Sequence, residues 1–189
     1  MKNTALIMID LQNDYFPKGR MELVAAEEAA GKAKLLLEYA RKHEVVVVFL
    51  QHIAMQPGAT FFLSGTRGIE IHDSLQPMET EKVFRKHFPN SFRETGLEAY
   101  LQDLGITQLV LCGMMTHMCV DATVRAAFDK GYSCILSHDA CATTALQFQG
   151  ESIAASHVHG SFMAALGAIY AQVATAEECI QMLVKQSQQ

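Results

Sequence analysis

Six short, mostly apolar runs recur along this chain with helix-periodic stretches between them, and that alternation restricts the fold more than any other feature. Thr4 to Ile9, Val45 to Leu50, Glu81 to Arg85, Gln108 to Cys112, Ser133 to Leu136 and Tyr170 to Val173 each read as a strand of the kind buried on both faces. Glu27 to Lys42 repeats apolar residues at helical spacing, Thr95 to Leu104 opens with Thr95 and Glu98 as a capping box, and Val120 to Lys130 mixes apolar and charged residues in a helical pattern. Gln149 to Leu166 is an Ala-rich helix by the same reading, and Thr175 with Glu178 predicts the start of a fifth. Strands alternating with helices call for a three-layer Rossmann-like α/β fold: a six-stranded, mostly parallel sheet with helices on both faces. Ligands of such sheets bind beyond the carboxyl ends of the strands, where strand order reverses. The candidate site residues are therefore those that follow each strand.

Half of the 189 residues are hydrophobic, enough for one sizeable core, and no linker or low-complexity tract divides them, so a single domain over residues 1–189 is expected. The net charge of -5 and the scattering of Lys and Arg leave no basic face for phosphates. Neither nucleic acid nor membrane is an expected partner, and small-molecule chemistry is favoured. The first apolar run meets Asp10 too early for a signal peptide, and no later run reaches the roughly 18 residues of a membrane span, which predicts a cytosolic protein. Cys112, Cys119, Cys134, Cys141 and Cys179 are odd in number and form no CxxC pair, so reduced thiols are expected rather than a disulfide framework or a cysteine zinc site. No GxGxxG follows any strand and Ala30 to Lys32 lacks the spacing of a phosphate loop, so no cofactor is expected.

Within LVLCGMMTHMCVDAT, Leu109 to Cys112 forms the strand, Gly113 breaks it, and Cys119 falls at the turn into the next helix. Unpartnered amides and a positive dipole end at a helix start favour a thiolate, so the Cys119 pKa is expected to fall and the thiol to be a nucleophile. The alternative is a small buried apolar residue. Asp10 after the first strand and Lys86 after the third would join it, the carboxylate moving the thiol proton and the ammonium holding both anions. Capping by Asp10 and a solvated Lys86 are the plainer alternatives, and Lys82 competes for the lysine position.

Four segments carry a family likeness: IMIDLQNDYF at Ile7 to Phe16, SGTRGIEIH at Ser64 to His72, RKHFPNSF at Arg85 to Phe92 and CGMMTHMCVDAT at Cys112 to Thr123. In their order and spacing the chain resembles the isochorismatase-like cysteine hydrolases, which include nicotinamidases and N-carbamoylsarcosine amidase. The resemblance implies an isochorismatase-like hydrolase domain with Asp10, Lys86 and Cys119 as catalytic triad, and it prefers Lys86 to Lys82. It also implies a cis peptide between Met114 and Met115, an oxyanion hole formed by the backbone N–H groups of Met115 and Cys119, and a homodimer or homotetramer.

Nicotinamidases of that group bind a metal through an Asp-x-His pair and a later His. Here Leu50 stands where the Asp would be, ahead of His52, and His72 is the later histidine, so two histidines remain and no metal is expected. His117 reads either as a base beside the thiol or, with Asp10 available, as a side chain turned to solvent or a subunit contact. His157 and His159, two apart on a helix, face different sides and cannot chelate one metal together. Phe16, Phe61, Phe62, Phe88 and Met114, with Met115 and Met118, are the expected apolar walls of a substrate pocket, and the long segment from His52 to Thr80 is expected to be a lid or binding loop.

The expected activity is metal-independent hydrolysis of a C–N bond in a small amide, lactam or carbamoyl compound through a thioester. Vinyl-ether hydrolysis of the isochorismatase type is the second reading, although isochorismatases themselves lack the cysteine. A third is a non-catalytic binding or redox-sensing protein built on a low-pKa Cys119.

Overall fold

A computed structural model describes residues 3–187. The strands in chain order are β1 (Thr4–Ile9), β2 (Val46–His52), β3 (Lys82–Lys86), β4 (Gln108–Met114), β5 (Ser133–Ala142), β6 (Leu146–Phe148), β7 (Glu151–Ile153) and β8 (Gln172–Ala174). The helices are α1 (Ala26–Lys42), α2 (Leu97–Asp103), α3 (Asp121–Asp129), α4 (Ala155–Ile169) and α5 (Ala176–Ser187). Six strands form one parallel sheet in the order β3-β2-β1-β4-β5-β8. The chain winds outward from β1 through β2 to β3, then returns to β4 and winds the other way. Strand order thus reverses between β1 and β4, and the crevice beyond their carboxyl ends is the place this topology offers a ligand.

The two faces of the sheet follow from the two-residue period of a strand. In β1, Leu6 and Met8 enter one apolar cluster with Ala33, Leu36 and Leu37 of α1 and with Cys179 and Leu183 of α5. Ala5, Ile7 and Ile9 enter the other, with Leu97 and Leu101 of α2, Val124 and Ala127 of α3, and Met163 and Leu166 of α4. Both faces are therefore covered, as the continuous apolar runs require. Among the described residues no helix is long and apolar enough to cross a membrane. All five cysteines are buried and free.

Besides shifts of one or two residues at the ends of β2, β3 and β8, three features differ from the sequence reading. An antiparallel hairpin, β6 with β7, occupies the beginning of the expected Gln149 to Leu166 helix, and α4 starts only at Ala155. Gln149 and Gly150 both take positive φ, 51° and 84°, the two-residue turn whose twist suits a hairpin. Second, β4 and β5 run past the predicted ends at Cys112 and Leu136, to Met114 and Ala142, through a register shift between Leu111 and Gly113. Gly113 has a φ of 132°, and a Cβ there would overlap the Ile9 carbonyl, so only glycine lets β1 and β4 approach this closely. Third, Thr95 does not close a capping box. Its hydroxyl accepts from Leu97 N–H at 3.3 Å, but Glu98 turns away to Lys130 Nζ at 2.6 Å. At α5 the box closes as expected: Thr175 N–H donates to Glu178 Oε2 at 2.9 Å, and Glu178 N–H to Thr175 Oγ1 at 3.2 Å.

Candidate active site

Neighbouring strand ends carry the reactive groups to one point. Asp10 follows β1 in a left-handed conformation, φ 51°, which aspartate tolerates better than most residues, and its N–H donates to Leu50 O at 3.1 Å. Lys86 is the last residue of β3, paired in register with His52 at the end of β2. Beyond β4, a single π-helical turn, Thr116–Val120, carries Cys119, and its wide winding is sealed by Val120 N–H donating to Met115 O at 3.2 Å.

Asp10 and Lys86 are both fully buried, and Lys86 Nζ lies 2.8 Å from Asp10 Oδ2. Either charge alone would cost several kcal/mol in that environment, so each is tolerated because of the other. Lys86 Nζ also reaches the carbonyls of Phe88 at 3.1 Å and Pro89 at 3.3 Å. Burial alone would lower the lysine pKa, but the charge of Asp10 beside it opposes this, raises the pKa and holds the ammonium form. Apart from this ion pair neither carboxylate oxygen has a hydrogen-bond partner among the described residues, so Asp10 Oδ1 keeps lone pairs open to a proton. Lys82 is exposed, its ammonium 5.6 Å from the Phe84 ring, and plays no part here.

Cys119 is 4 % exposed, and its titration corrects the expectation drawn from its place before a helix. Burial pushes the thiol well up from its ordinary value, repulsion from Asp10 adds to this, and Lys86 offsets only part. The resting group is a thiol.

His52, to which the sequence assigned no role once a metal was not expected, stands inside the cluster. Its Nδ1 lies 3.2 Å from Lys86 Nζ, 3.9 Å from Asp10 Oδ2 and 4.0 Å from Cys119 Sγ. Burial drives its pKa down to about 4, with Lys86 contributing, against the pull of Asp10, so the ring is neutral near pH 7. The strand running two residues past the predicted Leu50 is what delivers it. Donor atoms of Asp10, His52 and Cys119 fall within 4.8 Å of one another, a spacing a metal could bridge. They do not suit one, because the ammonium 2.8 Å from the carboxylate already supplies the positive charge there. His72 lies elsewhere, its Nδ1 2.9 Å from Ser74 Oγ and its ring stacked on Phe16.

A cavity of about 350 Å³ opens over the thiol, lined by Tyr15, His52, Gln56, Phe61, Phe62, His87, Phe88, Pro89, Met115, Met118 and Cys119. Phe61, Phe62 and Phe88 are thus placed at the cavity, whereas two of the expected wall residues are not. Phe16 is buried against His72 at a ring distance of 3.8 Å, and its neighbour Tyr15 faces the site instead. Met114 is the last residue of β4 and fully buried in the core; the peptide after it is cis, and Met115 reaches the cavity. The segment after β2 supplies part of the wall: buried Asp14 accepts from Phe62 N–H at 2.6 Å and fixes Phe62, whose φ is 55°.

His87 borders the cavity, its Nδ1 2.9 Å from Ile53 O, whereas His117, His157 and His159 do not line it. His117 Nδ1 is 2.6 Å from Thr143 Oγ1, and burial lowers its pKa despite Asp121. His159 Nδ1 is 2.9 Å from Thr116 Oγ1, while His157 is exposed.

Comparison with known proteins adds a lineage to this geometry. The isochorismatase domain profile matches residues 4–177. The uncharacterized isochorismatase family protein YddQ of Bacillus subtilis is 51% identical over 174 residues, spanning 92% of this chain and 97% of that protein. A crystal structure of an isochorismatase-type hydrolase from Oleispira antarctica superposes with a TM-score of 0.91 at 46% identity, covering 95% of this chain and 97% of that one. Streptothricin hydrolase of Streptomyces noursei is 37% identical over 139 residues, which is 74% of this chain and 49% of that enzyme.

Proposed function

Because this chain belongs to the isochorismatase family of hydrolases, we propose that it hydrolyses the C–N bond of a small amide, lactam or carbamoyl compound, with Asp10, Lys86 and Cys119 as its triad. The observation that carries this reading is the buried Asp10–Lys86 ion pair, 2.8 Å long, beneath a thiol at the floor of an apolar cavity. The similarity to streptothricin hydrolase is in keeping with it.

Asp10 takes the proton of Cys119 as Sγ attacks the substrate carbonyl carbon, and the backbone N–H groups of Met115 and Cys119 receive the developing oxyanion. The C–N bond then breaks, and the proton held on Asp10 passes to the leaving nitrogen. A thioester remains on Cys119. Water attacks it with Asp10 again as base, the C–S bond breaks, and the acid leaves as the thiol regains its proton. Lys86 stays protonated throughout, placing the carboxylate and stabilising negative charge on Asp10 or Sγ. A redox sensor requires a standing thiolate, and burial beside a carboxylate disfavours that at Cys119. We further propose assembly as a homodimer or homotetramer and a cytosolic location.

The test is ammonia or amine release from a panel of small amides, lactams and carbamoyl compounds. Wild type releases it from at least one member, and Cys119→Ser and Asp10→Asn each lose about 10³-fold or more. Turnover that survives Cys119→Ser overturns the triad.

A further inference from the structure

The proposed triad leaves the ring of His52 unused, yet position 52 is held more firmly than a wall residue needs. The buried Gln12 side chain clamps its backbone from both sides, Oε1 accepting from His52 N–H at 2.7 Å and Nε2 donating to His52 O at 2.9 Å. The ring then meets Lys86 Nζ through Nδ1 at 3.2 Å. An ammonium has only protons to offer, so Nδ1 is the acceptor, and the proton of the neutral imidazole sits on Nε2. Nε2 makes no hydrogen bond among the described residues, while the ring lines the cavity over Cys119.

We infer that His52 is a substrate-orienting residue whose Nε2–H donates to a second acceptor on the substrate, a carbonyl oxygen or ring nitrogen close to the scissile amide. Tyr15, Gln56 and His87 also border the cavity, but Phe61, Phe62, Phe88 and Met115 make most of its wall apolar, so a donor fixed on the ring beside Cys119 biases how a molecule lies against the thiol. The substrate class narrows accordingly: a compact, uncharged amide with an apolar or aromatic body and an acceptor beside the reacting carbonyl. The substrate assignment rests on the hydrolase reading, but the donor itself can be tested without turnover.

Iodoacetamide and methyl iodide both alkylate a thiol: a C–S bond forms, the C–I bond breaks, iodide leaves and the thiol proton passes to solvent. Only the first carries a carbonyl oxygen beside the reacting carbon. Rates at Cys119, followed by mass spectrometry of its peptide, are compared in wild type, His52→Phe and His52→Gln; Gln can place an N–H near the position of Nε2. The iodoacetamide to methyl iodide rate ratio is expected to fall about tenfold in His52→Phe and to be largely kept in His52→Gln. A ratio unchanged in His52→Phe, or lost equally in both variants, overturns the inference. Long-range ¹⁵N NMR of wild type, assigned through His52→Gln, is expected to show the Nε2–H tautomer, and an Nδ1–H ring would overturn it as well. Failure of the hydrolase reading shows separately, as amide turnover that is absent or independent of Cys119, and leaves the ratio intact.

Discussion

Acid should destabilise this protein through His52 before its carboxylates are protonated. The ring titrates at about 4 in the fold against an ordinary 6.5 for a free side chain, chiefly because burial denies the imidazolium its water. The side chain is only 12% exposed, so solvent screens this little. As pH falls below the unfolded value, the unfolded chain binds a proton that the folded protein refuses, and stability drops until the folded ring titrates too. The contribution is fully present above about pH 6.5 and is lost by about pH 4. At 1.36 kcal/mol per pKa unit the full loss is about 3 kcal/mol, of which about 2 kcal/mol has gone by pH 5. Urea unfolding of wild type and His52→Asn at pH 7, 6 and 5 isolates this, because the other depressed histidines, His72, His117 and His159, are common to both. Wild type should lose about 2 kcal/mol more than the variant between pH 7 and pH 5. Stability curves that run parallel over that interval would refute a neutral, desolvated His52.

Lys86→Met strands the Asp10 carboxylate in the core and should cost about 3–5 kcal/mol in urea unfolding, most of it restored by the double variant Lys86→Met with Asp10→Asn. A single variant as stable as wild type would mean that the pair is not buried as described. Gly113→Ala forces a Cβ onto the Ile9 carbonyl at a φ of 132° and should lower stability by more than about 2 kcal/mol, read as a fall in Tm. Asp14→Ala removes the acceptor of Phe62 N–H, costing about 1.5–3 kcal/mol by urea unfolding and raising KM more than it lowers kcat, since Phe62 is wall and not nucleophile.

The alternation of strands and helices was legible because the central strands, buried on both faces, leave almost no polar positions. Asp10 stands where the first run stops, whereas Lys86 is the buried end of an otherwise largely exposed edge strand and Cys119 lies in the turn after β4. What escaped depended on where a strand really ends. β2 continues two residues past Leu50, and that extension alone moves His52 from a loop into the cluster. β4 continues to Met114, which buries that side chain and leaves Met115 for the cavity. Tyr15 rather than Phe16 reaches the site because the short 3-10 turn at Asn13–Tyr15 changes which side each residue faces, a choice no two-residue period records. The Gln149-Gly150 pair is a readable turn signal, but the Ala-rich stretch beyond it has the same helical pattern and hides the break. The direction of the Cys119 shift needed the degree of burial, which sequence does not supply.

The protonated resting thiol has a consequence for selectivity in time. Peroxides and adventitious electrophiles react with thiolates, so a buried sulfur held as S–H is a nucleophile in reserve. In the proposed mechanism it becomes a strong nucleophile when a molecule fills the cavity with a carbonyl in reach and Asp10 removes the proton as the new bond forms. The apolar walls decide what can enter, whereas the withheld proton decides when the sulfur can act, and the two filters fail independently.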